Sequence, residues 1–105
     1  MSEHGLTMQR RNDAGRLVVS VHGEIDLMTC ELLSTELGEA TKQSPEVLVD
    51  LSGVSFLDSA GIRVLVEAHQ TAARVGHQLC VDNAHGWVER VLEVTGVREL
   101  LARPQ

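Results

Sequence analysis

Two hydrophobic periods run along this chain, and the change from one to the other marks its elements. Leu17, Val19 and Val21 alternate with Val18, Ser20 and His22, the two-residue period of a strand over Arg16–His22. Leu6–Gln9 is a candidate edge strand. The turn cluster Asn12-Asp13-Ala14-Gly15 between the two predicts a hairpin. Gly23-Glu24-Ile25-Asp26 reads as a loop. The period then becomes helical. Leu33, Leu37 and Ala40, with Met28 and Leu32 beside them, predict a helix over Met28–Gln43. Ser44-Pro45 stops it, because the residue before a proline resists the helical region. Val47–Leu51 is almost uniformly apolar, as a central strand covered on both faces would be. Beyond a short polar loop, Ile62, Leu65, Val66, His69, Ala72 and Ala73 form the inner stripe of a helix from about Ser59 to Val75. Gly76 suits the left-handed position past its end. Gln78–Val81 is a further buried strand. Trp87–Thr95 is a third helix with Val88, Val91, Leu92 and Thr95 on one face; Trp87, which starts it, is assigned to packing. Val97–Ala102 fits either a short strand or a helical turn.

The order strand-strand-helix-strand-helix-strand-helix implies strand–helix–strand crossovers after the hairpin, hence parallel strands. The expected class is α/β: a mixed, mostly parallel sheet with an antiparallel edge strand and about three main helices. The 105 residues form one domain, 1–105, with flexible ends expected at about 1–4 and 102–105.

Composition narrows the function. Phe56 and Trp87 are the only aromatics, so the core is aliphatic. The net charge is −6, with no basic cluster beyond Arg10-Arg11, which argues against nucleic-acid binding, where phosphate contacts need Lys and Arg. There is no 18-residue apolar run for a membrane span and no charged-then-apolar leader at Met1-Ser2-Glu3-His4-Gly5, so a cytoplasmic protein is expected. Cys30 and Cys80 then read as reduced, small apolar fillers. The five histidines, at 4, 22, 69, 77 and 85, lack metal spacing; His69 reads as the edge of the core. Ser55, in Gly53-Val54-Ser55-Phe56-Leu57, lacks the second glycine of a nucleophile elbow. No catalytic residues, metal or cofactor are expected, and the chain reads as a non-enzyme.

The segment that carries chemistry follows the central strand. Asp58 and Ser59 enter the first turn of a helix, where unpaired N–H groups and the helix dipole favour an anion. Ser59 is either an ordinary helix-start residue or a hydroxyl that can carry a phosphate. Asp58 is the expected N-cap. Gly61 is unusual inside a helix; it either admits a partner's backbone or packs tightly against a strand. Asp26 follows the second strand, at the end of the sheet where ligands of open α/β folds gather, or else caps the next helix. Arg63 lies one turn after Ser59, able to reach the same surface or simply solvated. Asp50 ends an apolar strand as the phospho-aspartate of a receiver domain does. The one lysine, Lys42, precedes that strand instead of following the last one, so Asp50 is read as a loop-ordering carboxylate.

Four segments in order, Gly23-Glu24-Ile25-Asp26, Val47-Leu48-Val49-Asp50-Leu51-Ser52, Phe56-Leu57-Asp58-Ser59-Ala60-Gly61-Ile62 and Val91-Leu92-Glu93-Val94-Thr95-Gly96-Val97, resemble the STAS domain, and more narrowly the bacterial anti-sigma factor antagonists. The resemblance spans nearly the whole chain. It implies a STAS-like fold and a partner switch. The unphosphorylated domain binds an anti-sigma factor and so frees a sigma factor; the anti-sigma factor is an ATP-dependent serine kinase that phosphorylates the loop serine, which releases the antagonist; a serine phosphatase resets the switch. The alternative is a STAS module of a larger signalling assembly or a small ligand-binding α/β domain. The matching serine is Ser59. Many relatives carry a second hydroxyl residue directly after it, where this chain has Ala60, leaving Ser59 the only acceptor in the loop. The implied partner surface comprises Asp26, Asp58, Ser59, Ala60, Gly61 and Arg63.

Overall fold

The described residues open with a hairpin. Strands β1 (Leu6–Asp13) and β2 (Arg16–Ile25) are joined by Ala14 and Gly15 alone. Both residues have positive φ, at 54° and 84°, as a two-residue turn matched to strand twist requires. There follow α1 (Cys30–Gln43), β3 (Glu46–Leu57), α2 (Ser59–Arg74), β4 (Gln78–Asp82), α3 (Gly86–Val94) and the single helical turn α4 (Arg98–Leu101). This computed structural model describes residues 5–103. The ends expected to be flexible lie outside that range except Ala102 and Arg103, and Arg103 bonds Asp82 at 3.1 Å.

The sheet order is β1-β2-β3-β4. β1 is antiparallel to β2, and β2, β3 and β4 are parallel, the mixed α/β sheet that the order of elements predicts. Alternation assigns the two faces. Leu17, Val19, Val47, Val49, Leu79 and Val81 face the helices, and every helix contributes to that one core, from Leu33 and Leu37 in α1 to Leu101 in α4. On the other face Val18, Leu48 and Cys80 stand in one cross-strand row and form a cluster of three without any helical residue. β3 is therefore apolar on both faces while helices cover only one. Burial pushes the Cys80 thiol above its ordinary pKa. Cys30 is buried in the main core, also as a free thiol.

Several boundaries depart from the sequence pattern. β2 continues through Gly23 and Glu24 to Ile25, and β3 continues to Leu57, because register irregularities near His22 and Gly23 carry the pairing onward. Such bulges break the alternation by which strands are read. A Cβ at Gly53 would lie 2.7 Å from Cγ of the exposed His22 ring, which would have to move aside. α1 begins at Cys30, so Met28 is not helical. The α2 stripe is rotated from its predicted position. Gly61, Val64, Leu65 and Ala72 are buried, His69 is half-buried, and Ala73 is exposed. His69 Nδ1 lies 2.6 Å from the Leu79 carbonyl, a core-edge position as expected. Trp87 corrects the packing assignment. It is 62% exposed, and Val88 and Leu92 supply the contact of α3 with the core. Val97–Ala102 resolves as a helical turn with Leu101 fully buried. One position costs stability without visible return. Gly38 sits inside α1, where glycine costs about 1 kcal/mol against alanine, and an added Cβ would meet nothing within 4 Å.

Candidate functional site

The ends of β2 and β3 lie side by side, Ile25 opposite Leu57, and each strand hands its chain to a helix. The Asp58 N–H donates to the Ile25 carbonyl at 3.1 Å, which fastens the start of α2 to the end of β2. Gly61 permits the rest of that contact. A Cβ there would lie 2.6 Å from Leu57 Cδ1 and 3.2 Å from the Ile25 carbonyl oxygen, and would also overlap Ile25 Cγ2. Gly61 is buried, so its tight pack against the two strand ends accounts for the glycine.

Asp58 is the N-cap, as its position predicts. Its Oδ1 accepts from the Ala60 N–H at 3.0 Å and the Gly61 N–H at 3.2 Å. Ala60 is half-buried against the core. Ser59, the first helical residue, is exposed, and no hydrogen bond to its hydroxyl occurs among the described residues. The first turn of α2 contains no acidic residue, so the positive end of its dipole is answered by Asp58 alone. An added anion at Ser59 would meet a favourable dipole and one neighbouring carboxylate.

Asp26 orders the companion loop. Its Oδ1 accepts from the Met28 N–H at 2.9 Å and the Thr29 N–H at 3.1 Å. Thr29, which pattern reading passed over, closes the loop. It is fully buried; its Oγ1 accepts from the Asp26 N–H at 2.9 Å and donates to the Glu24 carbonyl at 2.8 Å. The legible signal was the spacing Asp26-x-x-Thr29, two side chains that can exchange bonds with each other's backbone ahead of a helix. Leu27 and Met28, between them, are 73% and 69% exposed, and Phe56 is part-exposed at the end of β3. An apolar pair in a loop is the signal for these.

The geometry thus brings the Asp26 loop beside the start of α2, with Asp58, Ser59, Ala60 and Gly61. Arg63 is not drawn to Ser59. It is exposed and pairs with Glu67 at 3.8 Å, one turn further along α2. Asp50 lies apart, on the helix-free face. Burial tends to raise its carboxyl pKa, but the Ser52 amide at 3.0 Å and the Asn83 side chain at 3.1 Å outweigh that and hold it below its ordinary value. It ties β3 to the segment after β4, a loop-ordering role. Among the described residues no group of three or more His, Cys, Asp or Glu could hold a metal ion, and no helix is long and apolar enough to cross a membrane.

Comparison with known proteins agrees with this architecture. The family model described as "Mlab, STAS domain" matches residues 8–102. The anti-sigma-B factor antagonist of Bacillus subtilis is 27% identical over 93 residues, 89% of this chain and 83% of that protein. Anti-sigma-F factor antagonist RsfB of Mycobacterium tuberculosis is 36% identical over 75 residues, 70% of this chain and 59% of its own length. The crystal structure of an anti-sigma factor antagonist from Mycobacterium paratuberculosis superposes with a TM-score of 0.84 at 28% identity, covering 100% of this chain and 92% of that one.

Proposed function

The chain belongs to the STAS domain family, and from that premise we propose that it is an anti-sigma factor antagonist switched by phosphorylation of Ser59. In this reading the unphosphorylated domain works in the cytoplasm, binds an anti-sigma factor with serine kinase activity and so frees a sigma factor. Phosphate on Ser59 ends the contact, and a serine phosphatase restores it. The names of the relatives support the general role. The observation that carries the switch is an exposed Ser59 hydroxyl, without an internal partner among the described residues, on the first residue of a capped helix. The partner surface is the Asp26 loop with Leu27 and Met28, the Asp58–Gly61 turn, and the exposed side of α2 that carries Arg63. Gly61 contributes by setting the turn's position, since it is buried.

Phosphorylation releases the partner without unfolding the domain. A phosphate adds about 1.5 to 2 negative charges. At a helix N-terminus an anion is favoured by about 0.3–1 kcal/mol, and repulsion from Asp58 offsets part of that, so the effect on the fold is small. Across an interface, a misplaced or desolvated charge costs several kcal/mol. About 2 to 3 kcal/mol weakens binding roughly 30- to 150-fold. Repulsion at the interface therefore dominates.

The test is direct. Incubation with the cognate anti-sigma kinase and ATP places one phosphoryl group, and peptide mapping locates it. Ser59→Asp keeps the wild-type circular dichroism spectrum yet loses affinity for the anti-sigma factor on the scale just given, while Ser59→Ala binds persistently. Phosphate mapped to another residue, or a folded Ser59→Asp that binds as tightly as wild type, removes the assignment.

A further inference from the structure

Of the two glycines inside α1 and α2, only Gly61 has a steric reason within the chain. Gly38 lies on the exposed side of α1, where an added Cβ would meet nothing within 4 Å. It borders a groove of about 810 Å3 between the C-terminal halves of α1 and α2. Ala68 and Val75 are its apolar surface, above a fully buried Leu37, and most of its other lining side chains are polar or charged. Lys42 and Arg74 stand in the last turns of the two helices at one end of it. Both helices follow parallel strands, so their C-termini lie at the same end of the domain, remote from Ser59. The acid in the lining, Glu67, is exposed and lies 3.8 Å from Arg63. Lys42 has a single exposed contact, with Glu39 at 3.4 Å, and no ion pair to Arg74 occurs among the described residues.

We propose that this groove binds an amphiphilic carboxylate, its aliphatic tail lying over Gly38 and Ala68 and its acid group between Lys42 and Arg74. The volume is that of a small-molecule site, for which about 300–1,000 Å3 is usual. Cations in a last helical turn complement the helix dipole, which explains their place on each helix. It does not explain a side-chain-free position between them, at a cost in helix propensity, in a chain of net charge −6. Close approach of a ligand's methylene chain explains Gly38, and the carboxylate explains why the lining includes the one lysine of the sequence and an arginine.

Octanoate, decanoate and dodecanoate below their micellar concentrations, titrated into the full chain by calorimetry and by amide NMR, test this. Affinity rises about two- to fourfold per added methylene, with shifts confined to residues 34–42 and 67–77. Gly38→Leu, which fills the groove with a better helix former, weakens dodecanoate at least about tenfold while the melting temperature stays level or rises. Gly38→Ala, a still smaller change to the fold, raises the melting temperature and weakens binding about threefold. Lys42→Glu with Arg74→Glu abolishes carboxylate binding. The proposal is overturned by no saturable binding at millimolar ligand, by dodecanoate binding undiminished in Gly38→Leu, or by decanol binding as tightly as decanoate.

Discussion

Two hydroxyl residues stand at the starts of two neighbouring, similarly oriented helices, and their fates are opposite. Thr29 stands at the N-cap position of α1 without bonding the helix's own N–H groups; it is fully buried, and its oxygen is committed to the Asp26 N–H and the Glu24 carbonyl. Ser59 opens α2; it is exposed, and the bonds that order its turn come from Asp58 instead. At α1 the hydroxyl holds the loop, so it cannot be modified without breaking it. At α2 the carboxylate holds the loop, so the hydroxyl is spare. A serine or threonine near a helix start is thus a candidate switch only where its hydroxyl is not itself tied into the turn.

The comparison breaks most easily at Thr29. Thr29→Val keeps the shape and leaves the part-buried Asp26 N–H and Glu24 carbonyl without their hydroxyl partner; denaturant titration reads a loss of about 1–3 kcal/mol. A loss under about 1 kcal/mol would mean that the loop does not depend on this residue. Gly61→Ala tests whether the second helix start is fixed as firmly as the first. The added methyl overlaps Ile25 and Leu57, and overpacking of this kind costs about 1–3 kcal/mol. A melting temperature equal to wild type would show that this contact yields freely. Asp58→Ala removes a cap and costs about 1 kcal/mol by the same titration; no change would return the capping role at α2 to Ser59. The smallest effect belongs to Ser59→Ala, within about 0.5 kcal/mol of wild type, as for exposed sites that hold nothing. A destabilisation as large as that of Thr29→Val would erase the distinction between the two hydroxyls.

The same contrast explains how much could be read from the sequence. Leu17, Val19 and Val21 announced β2, and the apolar run Val47–Leu51 announced β3, because regular alternation and uniform burial are visible in a linear pattern. From these the strand pairing and the crossovers followed. The ends of both strands were not legible, since bulges near Gly23 and Gly53 break the period where the chain remains in the sheet. α2 was legible as a helix but not in its rotation. Gly61, which carries no side chain and adds nothing to a hydrophobic stripe, seats it on Ile25 and Leu57, turning Val64 inward and Ala73 outward. Asp58 and Ser59 could be picked out because their chemistry is local to one helix start. Thr29 could not be ranked beside them, because its worth lies in bonds across a loop. Trp87 misled for a different reason: an amphipathic pattern names the faces of α3 and leaves open how far its first turn reaches the core.

The hydrogen bond from the Asp58 amide to the Ile25 carbonyl has one more consequence. It makes the surface around Ser59 a discontinuous epitope, assembled from segments more than thirty residues apart in the chain. A synthetic peptide spanning residues 54–66 carries the serine, its cap and its glycine, yet lacks Asp26, Leu27, Met28 and the strand end that holds the turn in place. A kinase that reads the assembled surface is blind to such a peptide, and equally to the unfolded or nascent chain. If Ser59 is the substrate proposed above, conformation itself acts as a proofreading step: only a molecule that has completed its sheet presents it.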